Sequence, residues 1–215
     1  AAAIADDGFS HIVTFIQPGL TELEIALELE FYMRKNGGES VSFDVICASG
    51  QRSSLPHAVP GQRCIRKGDF IVLDFGCKVN GYCSDMTRTV AVGSVTEEQK
   101  KIYQLVYRAQ MECLKQLHSG MRCSDFDKIA RDLFIKEGYG AYFGHGLGHG
   151  VGLEIHEAPT ANSRSKEVFQ ENMLITVEPG IYLEKKFGVR IEDLAIIEKR
   201  GIINLSNSTK ELLIL

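Results

Sequence analysis

The chain has 215 residues, 44% of them hydrophobic and 24% charged, and a formal net charge of −4. That length can bury a substantial core, while the acidic balance offers no basic stripe to a nucleic-acid backbone and no apolar run reaches the roughly 18 residues of a membrane span. The six cysteines form no CxxC pair and read as reduced thiols of a cytoplasmic protein, which excludes a disulfide scaffold or a cysteine-based zinc site.

The opening stretch, AAAIADDGFSHIVTFI, starts directly in helical periodicity with no cap or preceding turn. A chain cut from a larger protein is expected to begin in this way. TELEIALELEFYMRKNG follows, with Thr21 and Glu24 spaced as a capping box, apolar residues at 25, 29, 32 and 33, and a stop at Gly37. A longer helix is expected over roughly 96 to 118. SDFDKIARDLFIKEG repeats the earlier plan: Ser124 and Asp127 as the cap, Phe126, Ile129, Leu133 and Phe134 as the apolar face, Gly138 as the end. Both capped helices follow a glycine, Gly19 or Gly120, and each Gly-to-Gly interval is eighteen residues, a hint of internal duplication. Strands are expected at 41–47, 69–75, 82–92, 173–178 and 188–198. No Gly/Ser or Pro-rich linker divides the chain, so residues 1–215 read as one α+β domain.

Chemistry first surfaces in FIVLDFGCKVNGYCSDMTRTVAV. Asn80-Gly81 is a type I′ hairpin signal, and it sets a register in which facing residue numbers sum to about 161. Asp74 then faces Thr87, and Asp85 becomes a diagonal neighbour on the same sheet face, about 7–8 Å away at the backbone. Two aspartates inside an apolar hairpin resist burial unless a cation joins them; a solvated face is the competing reading of this stretch.

GHGLGHGVGLEIHE then places His145, His149 and His156 within fourteen residues, with five glycines from 144 to 152 arguing against a helix. A Gly-rich loop feeding a strand at LEIHE is expected, its imidazoles available as metal ligands or as acids and bases. Glu178 ends an apolar strand before Pro179-Gly180, and Glu192 interrupts another beside Arg190 and Asp193. Either glutamate alone also suits a wet edge, yet two aspartates, two glutamates and a histidine together form a hard donor set suited to a pair of manganese, cobalt or zinc ions.

These motifs resemble the pita-bread metallopeptidase family of methionine aminopeptidases, prolidases and aminopeptidases P. SSLPHAVPG, VLDFGCKVNGYCSDMTRT, GHGLGHGVGLEIHEAP, TVEPGIY and GVRIEDL stand in the family's order across essentially the whole chain. The resemblance implies two pseudosymmetric α+β halves around a curved, mainly antiparallel sheet. It also implies two divalent ions, manganese foremost with cobalt, zinc or iron as alternatives, held by Asp74, Asp85, His149, Glu178 and Glu192. A hydroxide bridging those ions would be the nucleophile. The forms around His57, His145 and Glu192 are closest to the Xaa-Pro branch, whose substrates are Xaa-Pro dipeptides or peptides with proline at the second position. On that basis Glu178 relays a proton, His156 and His57 assist catalysis, and His145, Tyr182 and Arg190 shape the substrate pocket. Thr87 and Thr89 are candidates to orient carboxylates. The branch's usual N-terminal domain has no counterpart in these residues, and the full-length protein is expected to be a homodimer. A methionine aminopeptidase-like exopeptidase and a noncatalytic pita-bread binding module are the other readings.

Overall fold

The computed structural model describes residues 1–215. In its first half α1 (Ala2–Phe15) packs on α2 (Glu22–Lys35), which opens with the expected capping box: the Thr21 hydroxyl accepts from Glu24 N, and Glu24 Oε2 accepts from Thr21 N. Their apolar faces, Ile12, Ile25, Leu29 and Met33 among them, close a core against a sheet. β1 (Ser40–Val41) is short, and β2 (Ile46–Ser49) lies beside β3 (Phe70–Phe75). β4 (Cys77–Val79) and β5 (Tyr82–Cys83) form the tip of the hairpin, and β6 (Met86–Ala91) returns along β3.

The second half repeats this plan. α3 (Glu97–Gln116) and α4 (Cys123–Lys136) cover a five-stranded sheet through Ile102, Val106, Phe126, Phe134 and Ile175. β7 (Gly148–Gly150), β8 (Glu157–Ala161) and β9 (Leu174–Val177) precede a hairpin of β10 (Gly180–Leu183) and β11 (Phe187–Arg190). β12 (Asp193–Ile197) and β13 (Ile202–Asn204) complete the sheet in the order β13-β12-β9-β7-β8. Strand pairing is antiparallel throughout these sheets.

The duplication extends to individual hydrogen bonds. Gly19 N donates to Ile65 O and Thr21 bridges Cys64; in the second half Gly120 N donates to Phe169 O and Arg122 bridges Val168. Gly19 and Gly120 both hold positive φ, 101° and 88°, a conformation that glycine adopts without a Cβ penalty. The halves meet where β6 touches β11 and the start of β12. Thr89 Oγ1 accepts from Arg190 N and donates to Arg190 O, and Glu192 N donates to Thr87 O.

Several sequence expectations are corrected by the structure. The 82–92 and 188–198 strands are each broken, at Ser84–Asp85 and at Ile191–Glu192, because the chain changes partners there: β11 pairs with β10 and β12 with β9. LEIHE is not a strand; pairing resumes only at Glu157. Ser124 and Asp127 do not cap α4, which begins one residue earlier after Arg122 with no side-chain cap. The Asp127 carboxylate turns inward instead.

A buried ion pair joins the halves behind the junction. Arg88 is 1% exposed and donates to Asp193 Oδ1 at 2.7 Å and to the carbonyls of Thr87, Glu192, Ser208 and Thr209. Asp193 also accepts from Gln110, Asn204 and Lys210. Burial opposes its charge, but Arg88 and Lys210 hold its carboxyl below the usual range. Arg88→Met leaves Lys210 as the only cation on Asp193 and strips four carbonyls of a donor, so it is expected to cost about 3–5 kcal/mol in urea unfolding, and a loss below about 1 kcal/mol would contradict this reading.

Candidate metal centre

At the junction lies a cleft of about 820 Å³. Its wall carries Asp74, Asp85, His149, Glu178 and Glu192, together with His57, His145, His156 and Arg190. The hairpin accounts for the first pair. Asp74 faces Thr87 in the observed register and Asp85 lies just before β6, as the Asn80-Gly81 turn requires; both turn residues have positive φ, 51° and 79°. His149 is the middle residue of β7, Glu178 follows β9, and Glu192 sits in the break before β12.

The glycines around His149 serve close packing. A Cβ on Gly148 would lie 2.0 Å from Thr176 O and one on Gly146 2.7 Å from Ala161 O. Side chains at either position would force β7 away from its neighbours and carry His149 out of the cleft.

Hydrogen bonds fix the orientation of each group. The His149 Nδ1–H donates to Gly150 O at 3.1 Å, which leaves Nε2 free and 3.6 Å from both Asp85 Oδ2 and Glu178 Oε1. The backbone N of His149 donates to Thr176 Oγ1. Thr87 Oγ1 donates to Glu192 Oε2 at 2.5 Å and accepts from Arg190 Nε, so Thr87 orients a carboxylate as expected, whereas Thr89 serves the Arg190 backbone. Arg190, 3% exposed, gives Nη2–H to Asp74 Oδ2 at 2.5 Å and Nη1–H to the Tyr182 hydroxyl and to Pro56 O. Tyr182 Oη in turn lies 2.8 Å from His145 Nε2, while His145 Nδ1–H donates to Gly146 O. The Tyr182 hydroxyl therefore forms a strut between Arg190 and His145, two residues of the cleft wall. His156 packs edge-on against His149, with ring centroids 4.4 Å apart.

The electrostatics of these groups are unfavourable without added positive charge. Burial, with Glu192, Asp74 and Glu178 adding repulsion, raises the Asp85 carboxyl well above its usual range. Burial and the charges of Glu178 and Asp74 do the same to Glu192. Glu178 is pushed up to about 8, chiefly by burial, with Asp74 adding to it against the pull of Arg190. Burial, reinforced by Arg190, lowers His145 to about 4, and burial also lowers His149. Both imidazoles are thus held neutral, the form that coordinates a metal. Asp74 Oδ1 is buried with no hydrogen-bond partner, a costly state, and ligand atoms of Asp85, His149 and Glu192 all lie within 4.8 Å of one another. An unpaired buried oxygen, crowded carboxylates and a free imidazole nitrogen fit divalent cations.

A model of metallopeptidase family M24 matches residues 1–199. The chain belongs to metallopeptidase family M24. It is 45% identical to a Xaa-Pro dipeptidase of Pyrococcus furiosus over 99% of its own length and 61% of the relative's. Among solved structures, a Xaa-Pro dipeptidase from Bacillus anthracis aligns over 100% of this chain and 61% of its own, with a TM-score of 0.99 and 50% identity. An X-Pro aminopeptidase from Thermotoga maritima aligns over the same shares, with a TM-score of 0.98 and 42% identity. This M24 chain thus has the pita-bread fold, and it spans about three-fifths of the length of these relatives. No helix in it is long and apolar enough to cross a membrane.

Four contributors to the M24 site escaped the sequence. They are Thr176, Arg88, Asp193 and Asp127, of which the sequence assigns a role only to Asp127, as a helix cap. Each has a partner at least twenty residues away, which local spacing does not reveal.

Proposed function

We propose that this chain carries the active site of a metal-dependent exopeptidase that cleaves the bond preceding proline in Xaa-Pro dipeptides or at the N-terminus of Xaa-Pro peptides. The observation that carries this reading is the convergence of Asp74, Asp85, His149, Glu178 and Glu192 on one cleft with Asp74 Oδ1 left unpaired; the Xaa-Pro names of close relatives point to the substrate. These five residues would hold two divalent cations, with manganese foremost among the metals. Such a pair, when bound, lowers the pKa of water and polarises a carbonyl.

The remaining steps belong to the protein's own groups. Glu178, a carboxylate on the cleft wall, takes the proton of the attacking water and returns it toward the leaving nitrogen. His156, beside His149, hydrogen-bonds the substrate carbonyl as charge develops on its oxygen. His57 contacts the leaving proline. His145 stands neutral in the wall, held by Tyr182, and helps shape the pocket. Arg190 orients Asp74.

The test is release of proline from Ala-Pro and of alanine from Ala-Pro-Ala by manganese-loaded protein, with Met-Ala for comparison. Cleavage of either proline peptide with Met-Ala spared is expected. Cleavage of Met-Ala alone would replace this reading with a methionine aminopeptidase-like one.

A further inference from the structure

Two carboxylates outside the cleft are wholly buried and engaged by loops that lead into it. Glu22, the first residue of α2, is 0% exposed. It accepts from Ser49 N and Oγ at 2.8 and 2.7 Å, from Gly61 N at 3.2 Å and from Arg52 Nε at 3.0 Å. Arg52 then reaches over the same loop and donates to Val59 O at 2.6 Å. The segment gripped at 49, 52, 59 and 61 contains His57.

Asp127, in α4, is also 0% exposed. Its oxygens accept from Arg131 Nε and Nη2 at 2.7 and 3.0 Å and from Leu147 N at 3.2 Å. Arg131 donates onward to Phe143 O and His145 O at 3.1 and 2.8 Å, and its guanidinium lies 4.5 Å from the Phe143 ring centroid. The segment gripped here contains His145, and Leu147 O receives Glu178 N at 2.9 Å.

The two arrangements occupy corresponding helices of the duplicated halves and share one logic. A buried acid fixes a loop amide and an arginine, and the arginine's remaining donors fix loop carbonyls. The arginine side chains are 37% and 25% exposed while both acids are fully buried, so each guanidinium offsets its acid and also ties down the loop above it. The Arg190–Tyr182 strut spans the two loops, touching Pro56 O on one side and His145 Nε2 on the other.

We infer that Glu22 with Arg52 and Asp127 with Arg131 are paired positioning clasps, the first setting His57 and the second His145 on either side of the cleft; their effect on turnover rests on the peptidase reading above. Neither acid touches the cleft wall, so both act through the loops they hold. Each clasp governs its own histidine.

Arg52→Lys and Arg131→Lys test this, since each keeps the charge and loses the fork that bridges acid and carbonyl. In zinc-loaded protein the ring ¹H–¹³C signals of His145 are expected to shift and broaden in Arg131→Lys with those of His57 unmoved, and the reverse in Arg52→Lys. Metal content should equal that of the parent while kcat/KM toward an Xaa-Pro peptide falls about 10- to 100-fold, the scale of a misplacement near 1 Å. Glu22→Gln and Asp127→Asn should reproduce the same selective pattern. Ring signals unchanged in both arginine variants, or both rings disturbed equally by either one, would overturn the proposal. If the parent protein cleaves no Xaa-Pro peptide, the peptidase reading fails, while the ring spectra still decide the clasps.

Discussion

Asp85→Asn is expected to remove metal-dependent hydrolysis, with kcat/KM toward Ala-Pro-Ala falling by more than about 100-fold, because residues that only orient ligands already cost about 10- to 100-fold when lost. Asp85 occupies the most contested position in the cleft. His149 Nε2 faces it at 3.6 Å, Glu192 and Asp74 repel it, and burial penalises its charge. Asparagine matches its shape and relieves that repulsion, so the metal-free variant should fold at least as well as the parent. Weaker metal binding together with unimpaired or raised metal-free stability is the signature of a ligand; calorimetric titration with manganese and thermal melts in chelator measure the two. A variant that loses activity by unfolding, or retains it in full, would remove Asp85 from the site.

Stripping the metals should make stability fall as pH rises. Glu178 has its carboxyl raised to about 8 in the fold, chiefly by burial, against about 4.3 in an unfolded chain. Between those values the folded state binds more protons than the unfolded one, so the slope of unfolding free energy with pH is negative. The protonated carboxyl favours the fold fully below the unfolded value, and this contribution is lost as pH rises through about 8. Asp85 and Glu192 are raised in the same direction and add to the trend. Melting of chelated protein from pH 5 to pH 9 is therefore expected to show a decline that is steepest above about pH 6.5, because the lowered imidazoles of His145 and His149 oppose it below that value. Manganese should flatten or reverse it, since metal binding favours deprotonated ligands and stabilises the folded state by mass action. A chelated protein whose melting temperature rises from pH 5 to pH 9 would contradict the crowded-carboxylate account.

How far the fold and site were legible in the sequence depended on how local each determinant is. Asn80-Gly81 fixes a two-residue turn, and from that turn the facing of Asp74 and Thr87 follows by counting. Thr21 and Glu24 cap α2 as their spacing implies because both partners lie within one turn. The same spacing misleads at Ser124 and Asp127, where a deeper partner, Arg131, and the Leu147 amide win the carboxylate. Residues 188–198 look like one strand because both pieces are apolar, while the break at Glu192 depends on which strand each piece pairs with. Tyr182 shows the limit for side chains. Its motif places it near the cleft, but that Arg190 and His145 share its hydroxyl does not follow from the motif. The histidine spacing of GHGLGHGVGLEIHE brings His149 and His156 together, though through bends rather than the expected strand.

The most direct test of the central claim is the number of divalent cations bound per chain after chelation, reloading with manganese and removal of free metal, measured alongside proline release from Ala-Pro. Two ions per chain, with proline or Ala-Pro-Ala cleavage appearing as they bind, is the expected result. A protein that binds no manganese, cobalt, zinc or iron would contradict a metal centre built from Asp74, Asp85, His149, Glu178 and Glu192.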